Sequence, residues 1–328
     1  MFNPFKVFKN RKVGLVLGSG GAKGVSHIAV IDYLHSMEIP IDMIAGSSIG
    51  AVVGALYATG TLKQFKEDLL RRGTRELYSL VDLVFPRSGL IEGKRFMDFL
   101  ATYIPRDTNI EDLDLPLGIV ATDYSNGKAV VFRSGNLLEA LRASISIPGV
   151  FVPVRYKGTF LLDGGVSSPL PVNVAEQMGA GITVAVNLHP RLNKARTKSY
   201  LRDSVDRGGI IVDSRDLEIA ETEKLTHEKT VTNGTWLHSV ESWLRQGKGG
   251  NEVKAPTIFE TIVQAVDIME FVNTALMLKF YKPSVLIEPN LVDIGSLDFS
   301  DISHLITEGY RASSQVKGQL LRKVKVWI

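Results

Sequence analysis

The fold of this chain is decided by residues 41–57, which read IDMIAGSSIGAVVGALY. An apolar run (41–45) leads into Gly46-Ser47-Ser48-Ile49-Gly50, and a run of small residues (51–57) follows. The pattern predicts a strand, a sharp turn and a helix, with Ser48 at the apex. Glycines on both sides let the backbone hold the serine hydroxyl above the helix N-terminus, where unpaired N–H groups favour an oxyanion. We therefore expect a nucleophilic serine; the alternative is a serine incidental to a loop.

The segments on either side of this turn predict an α/β fold. Residues 13–17 form a short apolar strand, the glycine-rich turn 18–24 follows, and 25–37 has the apolar periodicity of a helix. This β-α-β-α opening implies a central, largely parallel sheet with helices on both faces, in three layers. Further strands are predicted at 117–122, 129–132, 160–162, 181–188 and 284–287, and further helices at 137–144 and 258–278.

The composition is that of a soluble globular protein and excludes several kinds of chemistry. The chain has 328 residues, 45% of them hydrophobic and 22% charged. The sequence lacks a run of about 18 uninterrupted apolar residues, so it does not predict a membrane span. It also lacks an apolar core near the N-terminus, so it does not predict a signal peptide. The absence of cysteine excludes disulfides, thiolate metal sites and a cysteine nucleophile. A net charge of +3 is too small to predict a nucleic-acid partner.

The domain organisation is predicted from a change in composition near Pro190. Residues 191–255 are polar and charged and are interrupted by Gly208-Gly209 and Gly249-Gly250, whereas apolar periodicity returns afterwards. We expect a single domain over 13–328 with an insertion at about 191–255.

Two segments are candidates for contact with a membrane. Residues 1–12 alternate phenylalanines with lysines and arginine and contain no acid, which suits an anionic interface; a frayed terminus is the alternative. Trp236 and Trp243 lie seven residues apart, on one face of a predicted helix. That face suits a lipid surface or a second subunit, and simple packing against the protein is the alternative. A homo-oligomer is therefore left open.

The glycine-rich turn at 18–24 reads GSGGAKG. A dinucleotide-binding motif on Gly18 and Gly20 needs glycine at position 23, where Lys23 stands. A P-loop needs serine or threonine after Gly-Lys, and the order Ala22-Lys23-Gly24 does not supply it. The remaining use is a row of backbone N–H groups aimed at developing negative charge, which is an oxyanion hole. A plain connector between strand and helix is the alternative.

Four local motifs together resemble the patatin-like phospholipase family. They are the turn with Gly20, Gly21, Lys23 and Gly24, the serine turn at 46–50, the stretch RASISIPGVF at 142–151, and Asp163-Gly164-Gly165. The resemblance covers residues 13–188, fades through the insertion and returns more weakly at 283–289 and 299–310. The chain departs from the family pattern at Ser19, where the family's turn usually has glycine.

The resemblance implies a patatin-like fold and a Ser–Asp dyad without histidine. Ser48 would attack an ester carbonyl and Asp163 would accept its proton and return it to the leaving alcohol. Gly20 and Gly21 would hold the oxyanion and Lys23 would orient the turn. The supporting glycines of these motifs would be Gly24, Gly46, Gly50, Gly164 and Gly165.

The activity implied is that of a phospholipase A or lysophospholipase with an acyl-enzyme intermediate, acting on a phospholipid or lysophospholipid. It requires no metal and no organic cofactor. The protein would be cytoplasmic and peripheral at the inner face of the membrane.

Two alternatives compete with the dyad. The order Ser48, Asp163, His304 is that of an α/β-hydrolase triad. A catalytically silent lipid-binding protein on the same fold is the other. Asp163 also has a purely structural alternative, which is to cap its turn.

Overall fold

The structure is a computed structural model that describes residues 11–72, 92–189 and 258–325. By its contacts the chain divides into two units, Met1–Asn193 with Ile262–Ile328, and Lys194–Thr261. The second unit lies almost wholly outside the described residues. So do the arm at 1–12, apart from its last two residues, the insertion at 191–255, and Trp236 and Trp243. The expectations placed on them, including the single-domain organisation, stay predictions.

The described strands form one mixed sheet. They are β1 (Val13–Leu17), β2 (Met43–Ser47), β3 (Leu117–Asp123), β4 (Ala129–Phe132), β5 (Val154–Tyr156), β6 (Thr159–Asp163), β7 (Ile182–Val186) and β8 (Val285–Ile287). The order across the sheet is β5-β6-β3-β2-β1-β7-β8, with β4 also paired to β3. Strands β3, β2, β1, β7 and β8 run parallel, whereas β4 and β6 are antiparallel to β3, and β5 is antiparallel to β6.

Helices follow the strands and cover the sheet. They are α1 (Ser26–Ser36), α2 (Ile49–Ala58), α3 (Leu62–Arg71), α4 (Lys94–Leu100), α5 (Leu137–Ser144), α6 (Val172–Gln177), α7 (Ile258–Phe280), α8 (Ile302–Gln315) and α9 (Lys317–Leu320). Short 3-10 turns lie at Gly21–Val25, Ile110–Asp112 and Gly164–Val166, and a π turn at Leu321–Lys325.

The two faces of the sheet pack on different helices because successive strand residues point to opposite sides. On one face, Leu15 and Leu17 of β1 belong to a large core with residues of α1, α2, α3, α5 and α8. On the other, Val16 packs with Val174 and Ala175 of α6 and with Leu278 of α7. Helix, sheet and helix are thus three layers. The predicted fold class, a central, largely parallel sheet between helices, is confirmed.

The parallel strands place the functional turns together. Strands β1 and β2 are neighbours in parallel register, with Leu17 opposite Gly46. Their carboxyl ends therefore meet at one edge, and the glycine-rich turn and Ser48 leave the sheet side by side at the position where α/β sheets carry their sites.

Three details differ from the sequence-based expectation. Strand β2 begins at Met43, two residues later than expected. The side chain of Asp42, just before the strand, instead binds the start of β1, where its Oδ2 accepts a hydrogen bond from Val13 N at 2.6 Å. Strand β5 was not expected, since its three residues are half-buried or exposed and carry no strong pattern. Helix α7 contains Glu260–Phe280, which by length and composition alone is long and apolar enough to cross a membrane, although no uninterrupted apolar run marks it.

Candidate active site

Ser48 lies between β2 and α2 in a backbone conformation that non-glycine residues rarely adopt. Its φ is +54° and its ψ is −123°, and the residue is 4% exposed. Such strain persists only where the surroundings impose it. A Cβ at Gly46 would lie 2.6 Å from the Ala51 backbone, and one at Gly50 would overlap the carbonyl oxygen of Leu17. Both flanking glycines are therefore required by close packing around the turn.

Ser144 holds the backbone of this turn in place. Ser48 N donates to Ser144 Oγ at 2.9 Å, and Ser144 Oγ donates to the carbonyl oxygen of Val120 at 2.6 Å. Ser144 is fully buried at the last turn of α5. One hydroxyl thus ties the strained serine to β3. The sequence marked Ser144 as part of a motif without giving it a role.

Asp163 meets the serine directly. Ser48 Oγ donates to Asp163 Oδ2 at 2.6 Å, across 115 positions of sequence. Asp163 Oδ1 accepts from Gly165 N at 2.7 Å, and the Asp163 carbonyl accepts from Thr122 Oγ1 at 2.7 Å. Asp163 is 1% exposed at the end of β6. The carboxylate is fixed on both sides, so it is oriented before any substrate arrives.

The glycine-rich turn brings Gly20 and Gly21 beside the same serine. Both have positive φ, +152° and +56°, and both line a small cavity together with Ser48. A Cβ at Gly21 would overlap the carbonyl oxygen of Ser296, which accepts from Ala22 N at 2.8 Å. Within the described part of the chain, no residue accepts a hydrogen bond from the N–H of Gly20 or Gly21. These are the two N–H groups that the resemblance assigns to an oxyanion.

Ser19 fits its place in the turn. It is absent from the residues with positive φ, and its N–H donates to the Pro169 carbonyl at 2.8 Å. A side chain therefore causes no backbone strain at this position, which explains how the chain departs from the family pattern there.

Buried side chains support the turn from beneath. His27 Nε2 lies 2.8 Å from the carbonyl oxygen of Gly18, to which it donates. Burial lowers the pKa of His27 to about 4, although this hydrogen bond acts in the other direction, so the ring is neutral near pH 7. Lys23 is 8% exposed and is not a solvated surface charge. Gly24 packs on Ile49, whose side chain leaves no room for a Cβ.

Arg142 explains much of the motif at 142–151. Its guanidinium donates to Ser146 Oγ at 2.9 Å and to the Val152 carbonyl at 2.7 Å, and it lies over the ring of Phe151. The loop fixed in this way contributes Ile147 and Val150 to the lining of the cavity over Ser48.

Glu270 and His189 form a second buried polar pair that the sequence did not predict as part of the site. Glu270 Oε2 lies 2.7 Å from His189 Nε2, an ion-pair distance without hydrogen-bond alignment, and both residues are buried. A Cβ at Gly165 would overlap Glu270 Oε1, so this carboxylate lies directly against the turn that follows Asp163. The available signal was the presence of acids, Glu270 among them, inside the apolar pattern of 258–278.

The pKa of Asp163 is raised from 3.8 to about 8. Burial is the main cause, and the negative charge of Glu270 adds to it; the hydrogen bonds from Ser48 and Gly165 N act in the opposite direction. A carboxyl with a pKa in this range can both accept and return a proton near neutral pH, which is the requirement for a general base that also acts as an acid.

Helix α7 closes the site. The cavity over Ser48 measures about 20 Å3 and is lined on the α7 side by Val263, Val266 and Glu270. A space of that size holds about one water molecule. A wider cavity of about 730 Å3, lined in part by Leu138 and Tyr156, does not include Ser48. The space directly over Ser48 is therefore narrow in the described structure.

His304 is not brought to the serine. It is exposed near the start of α8, where its backbone N–H donates to Asp301 Oδ1 at 2.8 Å. A triad needs an imidazole between serine and aspartate. Here Ser48 Oγ contacts Asp163 Oδ2 without an intermediary. Among the described residues, no group of three or more His, Asp or Glu side chains is arranged to hold a metal ion.

The fold and the site define an α/β protein with a serine turn beside a glycine-rich turn. Comparison with known families gives a match of residues 15–176 to the patatin-like phospholipase model. The matched stretch is slightly less than half of the chain, and over it the chain is similar to the patatin-like phospholipase family, in agreement with the resemblance that the sequence motifs predicted.

Two similar proteins align with different lengths of this chain. An uncharacterized NTE family protein of Mycobacterium tuberculosis is 40% identical over 178 residues, 54% of this chain and 49% of that protein. The mouse patatin-like phospholipase domain-containing protein 6 is 28% identical over 324 residues, 95% of this chain and 21% of that protein. The chain thus aligns with half or less of the length of these relatives. The crystal structure of VipD from Legionella pneumophila has a TM-score of 0.47 at 15% identity, covering 94% of this chain and 67% of that one, too slight a likeness to build on.

Proposed function

We propose that the protein hydrolyses carboxylic esters of lipids, as a phospholipase A or lysophospholipase, through a dyad of Ser48 and Asp163. The observation that carries the proposal is the 2.6 Å contact between Ser48 Oγ and Asp163 Oδ2 at a strained strand–helix turn. The family match supports a lipid substrate. A phospholipid or lysophospholipid is the substrate class proposed, and the reaction needs no metal or cofactor.

In the acylation step, Ser48 Oγ attacks the ester carbonyl carbon while its proton passes to Asp163 Oδ2. The carbonyl oxygen becomes an oxyanion and accepts hydrogen bonds from the N–H groups of Gly20 and Gly21. When the C–O bond to the alcohol breaks, Asp163 returns the proton to the leaving oxygen. The products of this step are an acyl ester on Ser48 and the free alcohol.

In the deacylation step, Asp163 accepts a proton from water, whose oxygen attacks the acyl carbon. The second tetrahedral intermediate uses the same oxyanion site. Its collapse returns the proton to Ser48 Oγ and releases the fatty acid. Atoms and charges balance because Asp163 gives back each proton that it accepts.

An active-site label tests the nucleophile directly. A fluorophosphonate should form a stable adduct on Ser48, identified by mass spectrometry of the digested protein. Ser48→Ala should abolish the adduct, whereas Ser303→Ala, at an exposed serine of α8, should leave it unchanged. Absence of an adduct on folded wild-type protein would favour the silent lipid-binding alternative.

Hydrolysis of a panel of phospholipids, lysophospholipids and short aryl esters tests the base. Asp163→Asn should lower kcat by about a hundredfold or more, as expected for loss of a positioned general base. Asp107→Asn, at an exposed aspartate, is the matched control. Equal activity of Asp163→Asn and wild type would contradict the role of Asp163 as the base of a dyad. If His304→Ala were inactive as well, the triad would be favoured instead. The location at the inner face of the membrane stays a prediction, which cell fractionation tests.

A further inference from the structure

The outward face of α7 is apolar. Ile268, Met269, Val272, Leu276 and Phe280 are between 42% and 79% exposed. Their spacing of three, four and eight residues puts them on one side of the helix, and we refer to them as the α7 stripe. Between Ala265 and Phe280, no exposed residue of α7 is acidic, and the exposed cation, Lys279, lies near the end of the helix.

The inward face of the same helix carries polar side chains bonded to the protein, beside the buried Val263 and Val266. Asp267 Oδ1 accepts from Ser296 Oγ at 2.6 Å, and Asn273 Nδ2 donates to the Val166 carbonyl at 2.8 Å. Glu270 lies 2.7 Å from His189 on the same side. These contacts fix the rotation of α7 about its axis. The α7 stripe therefore faces outward, where a surface helix usually carries charged and polar residues.

We propose that the α7 stripe docks on the lipid surface that carries the substrate, and that docking draws α7 away from Ser48. This inference rests on the proposed lipid substrate. An exposed apolar row of this length marks an interaction site in soluble proteins. The helix that bears the α7 stripe also lines the cavity over Ser48. A surface that contacts the α7 stripe therefore lies next to the point where an ester enters, which identifies the occupant as lipid.

The charges near the helix end favour a lipid headgroup layer. Lys279 is exposed at the last turn of α7 and Lys282 is exposed just beyond it. Basic residues beside an apolar face suit an anionic interface. The helix lies in the interface and does not span the bilayer, because Asp267, Glu270 and Asn273 make their contacts within the protein.

Size makes the movement necessary. The cavity over Ser48 is about 20 Å3, which leaves no space for an ester and its acyl chain. Val263 and Val266 form the α7 side of that space, so their displacement opens it. The three inward polar contacts of α7 can each be exchanged for water, whereas the α7 stripe gains burial on lipid. Docking and opening are thereby linked.

Vesicle binding separates this inference from the proposed function. Ser48→Ala protein is sedimented with vesicles of phosphatidylcholine and phosphatidylglycerol in equal parts, so that binding is measured without turnover. Adding Val272→Ser and Leu276→Ser should weaken binding about tenfold or more for each side chain removed. The matched control carries Leu70→Ser and Leu321→Ser, which are also exposed but lie elsewhere. Binding equal to that of Ser48→Ala protein in the α7 double variant would overturn the inference.

A single label gives a second readout without altering the rest of the α7 stripe. The chain has no cysteine, so Met269→Cys can be labelled uniquely with an environment-sensitive dye. Its emission should shift to shorter wavelength on adding the vesicles, whereas the same dye at Leu70→Cys should not respond. An unshifted emission at position 269 would overturn the inference.

Activity and size measurements give the remaining outcomes. With Ser48 intact, the α7 double variant should lose hydrolysis of vesicle phospholipid. Its slower hydrolysis of a soluble aryl ester, which relies on α7 opening without lipid, should equal that of the wild type. If the wild type bound vesicles but hydrolysed neither the vesicle phospholipid nor the aryl ester, the proposed function would be contradicted and the docking surface would stand. If the double variant changed a dimer into a monomer without affecting vesicle binding, the α7 stripe would be a subunit contact, and the inference would be wrong.

Discussion

Glu270 on α7 and Asp163 at the end of β6 bring two carboxyl groups to the same small turn. Glu270 Oε1 occupies the space where a Cβ at Gly165 would lie, two residues after Asp163. The charge of Glu270 raises the pKa of Asp163 further than burial alone does. The helix that closes the site therefore also influences the protonation of the proposed base.

Replacing Glu270 should shift the pH dependence of activity. Glu270→Gln removes the negative charge, so the pKa of Asp163 falls from about 8. Because Asp163 must be ionised to accept the serine proton, the rise of kcat/KM with pH should move to lower pH. Glu176→Gln, at an exposed position on α6, should leave the profile in place. An unchanged profile in Glu270→Gln would mean that Asp163 does not titrate as the base.

Stability should fall as the pH rises between the two pKa values of Asp163. The folded-state pKa of about 8 lies above the ordinary value of 3.8, so the folded state holds its proton more tightly than the unfolded state. The contribution of Asp163 to the free energy of unfolding therefore declines across this window. Asp163→Asn, which cannot ionise, should flatten that decline. Urea unfolding at several pH values measures it, and parallel curves for the two proteins would contradict the assignment.

Ser144 should matter for catalysis without touching the substrate. Ser144→Ala leaves the N–H of Ser48 and the carbonyl of Val120 without their shared hydroxyl, at a cost of about 1–3 kcal/mol. We expect kcat to fall because the strained turn is no longer held. The matched control is Ser313→Ala, which removes an equally buried hydroxyl bonded to the Gly309 carbonyl in α8. Both variants should lose stability, but only Ser144→Ala should lose activity. If Ser144→Ala and Ser313→Ala had the same kcat, the role of Ser144 would be structural alone.

Gly21 and Gly60 offer a comparison between close packing and backbone strain. Both have positive φ, so alanine at either position is strained by about 1 kcal/mol. A Cβ at Gly60 meets nothing within 4 Å, whereas one at Gly21 would overlap the Ser296 carbonyl. Gly21→Ala should therefore be inactive and strongly destabilised, while Gly60→Ala should be mildly destabilised and active. Normal hydrolysis by folded Gly21→Ala would contradict the proposal that this turn binds the oxyanion.

Much of the site could be predicted because its motifs are local. The flanking glycines of Ser48, the turn with Gly20 and Gly21, and Asp163 each stand beside a strand whose apolar pattern is clear. Neighbouring parallel strands then bring their ends together, a consequence of topology that the β-α-β-α order already implies.

The contribution of α7 could not be predicted in the same way. Glu270 lies more than a hundred positions after Asp163 and becomes part of the site only through the packing of its helix. Its periodicity resembles that of a core helix, since apolar residues dominate it, and the pattern does not say which side faces inward. Ser144 was missed for a related reason, because its role lies in a backbone contact with Ser48 that spacing does not reveal.

The antiparallel pairing of β6 with β3 has a consequence for the newborn protein. Ser48 is synthesised 115 positions before the carboxylate that contacts it, and β6 reaches that position only by joining a sheet already containing β2 and β3. Contacts so distant along the chain are slow to form because a long loop must close first. A partly translated chain on the ribosome therefore carries Ser48 without Asp163, so the proposed dyad can form only after β6 has been synthesised and paired with β3.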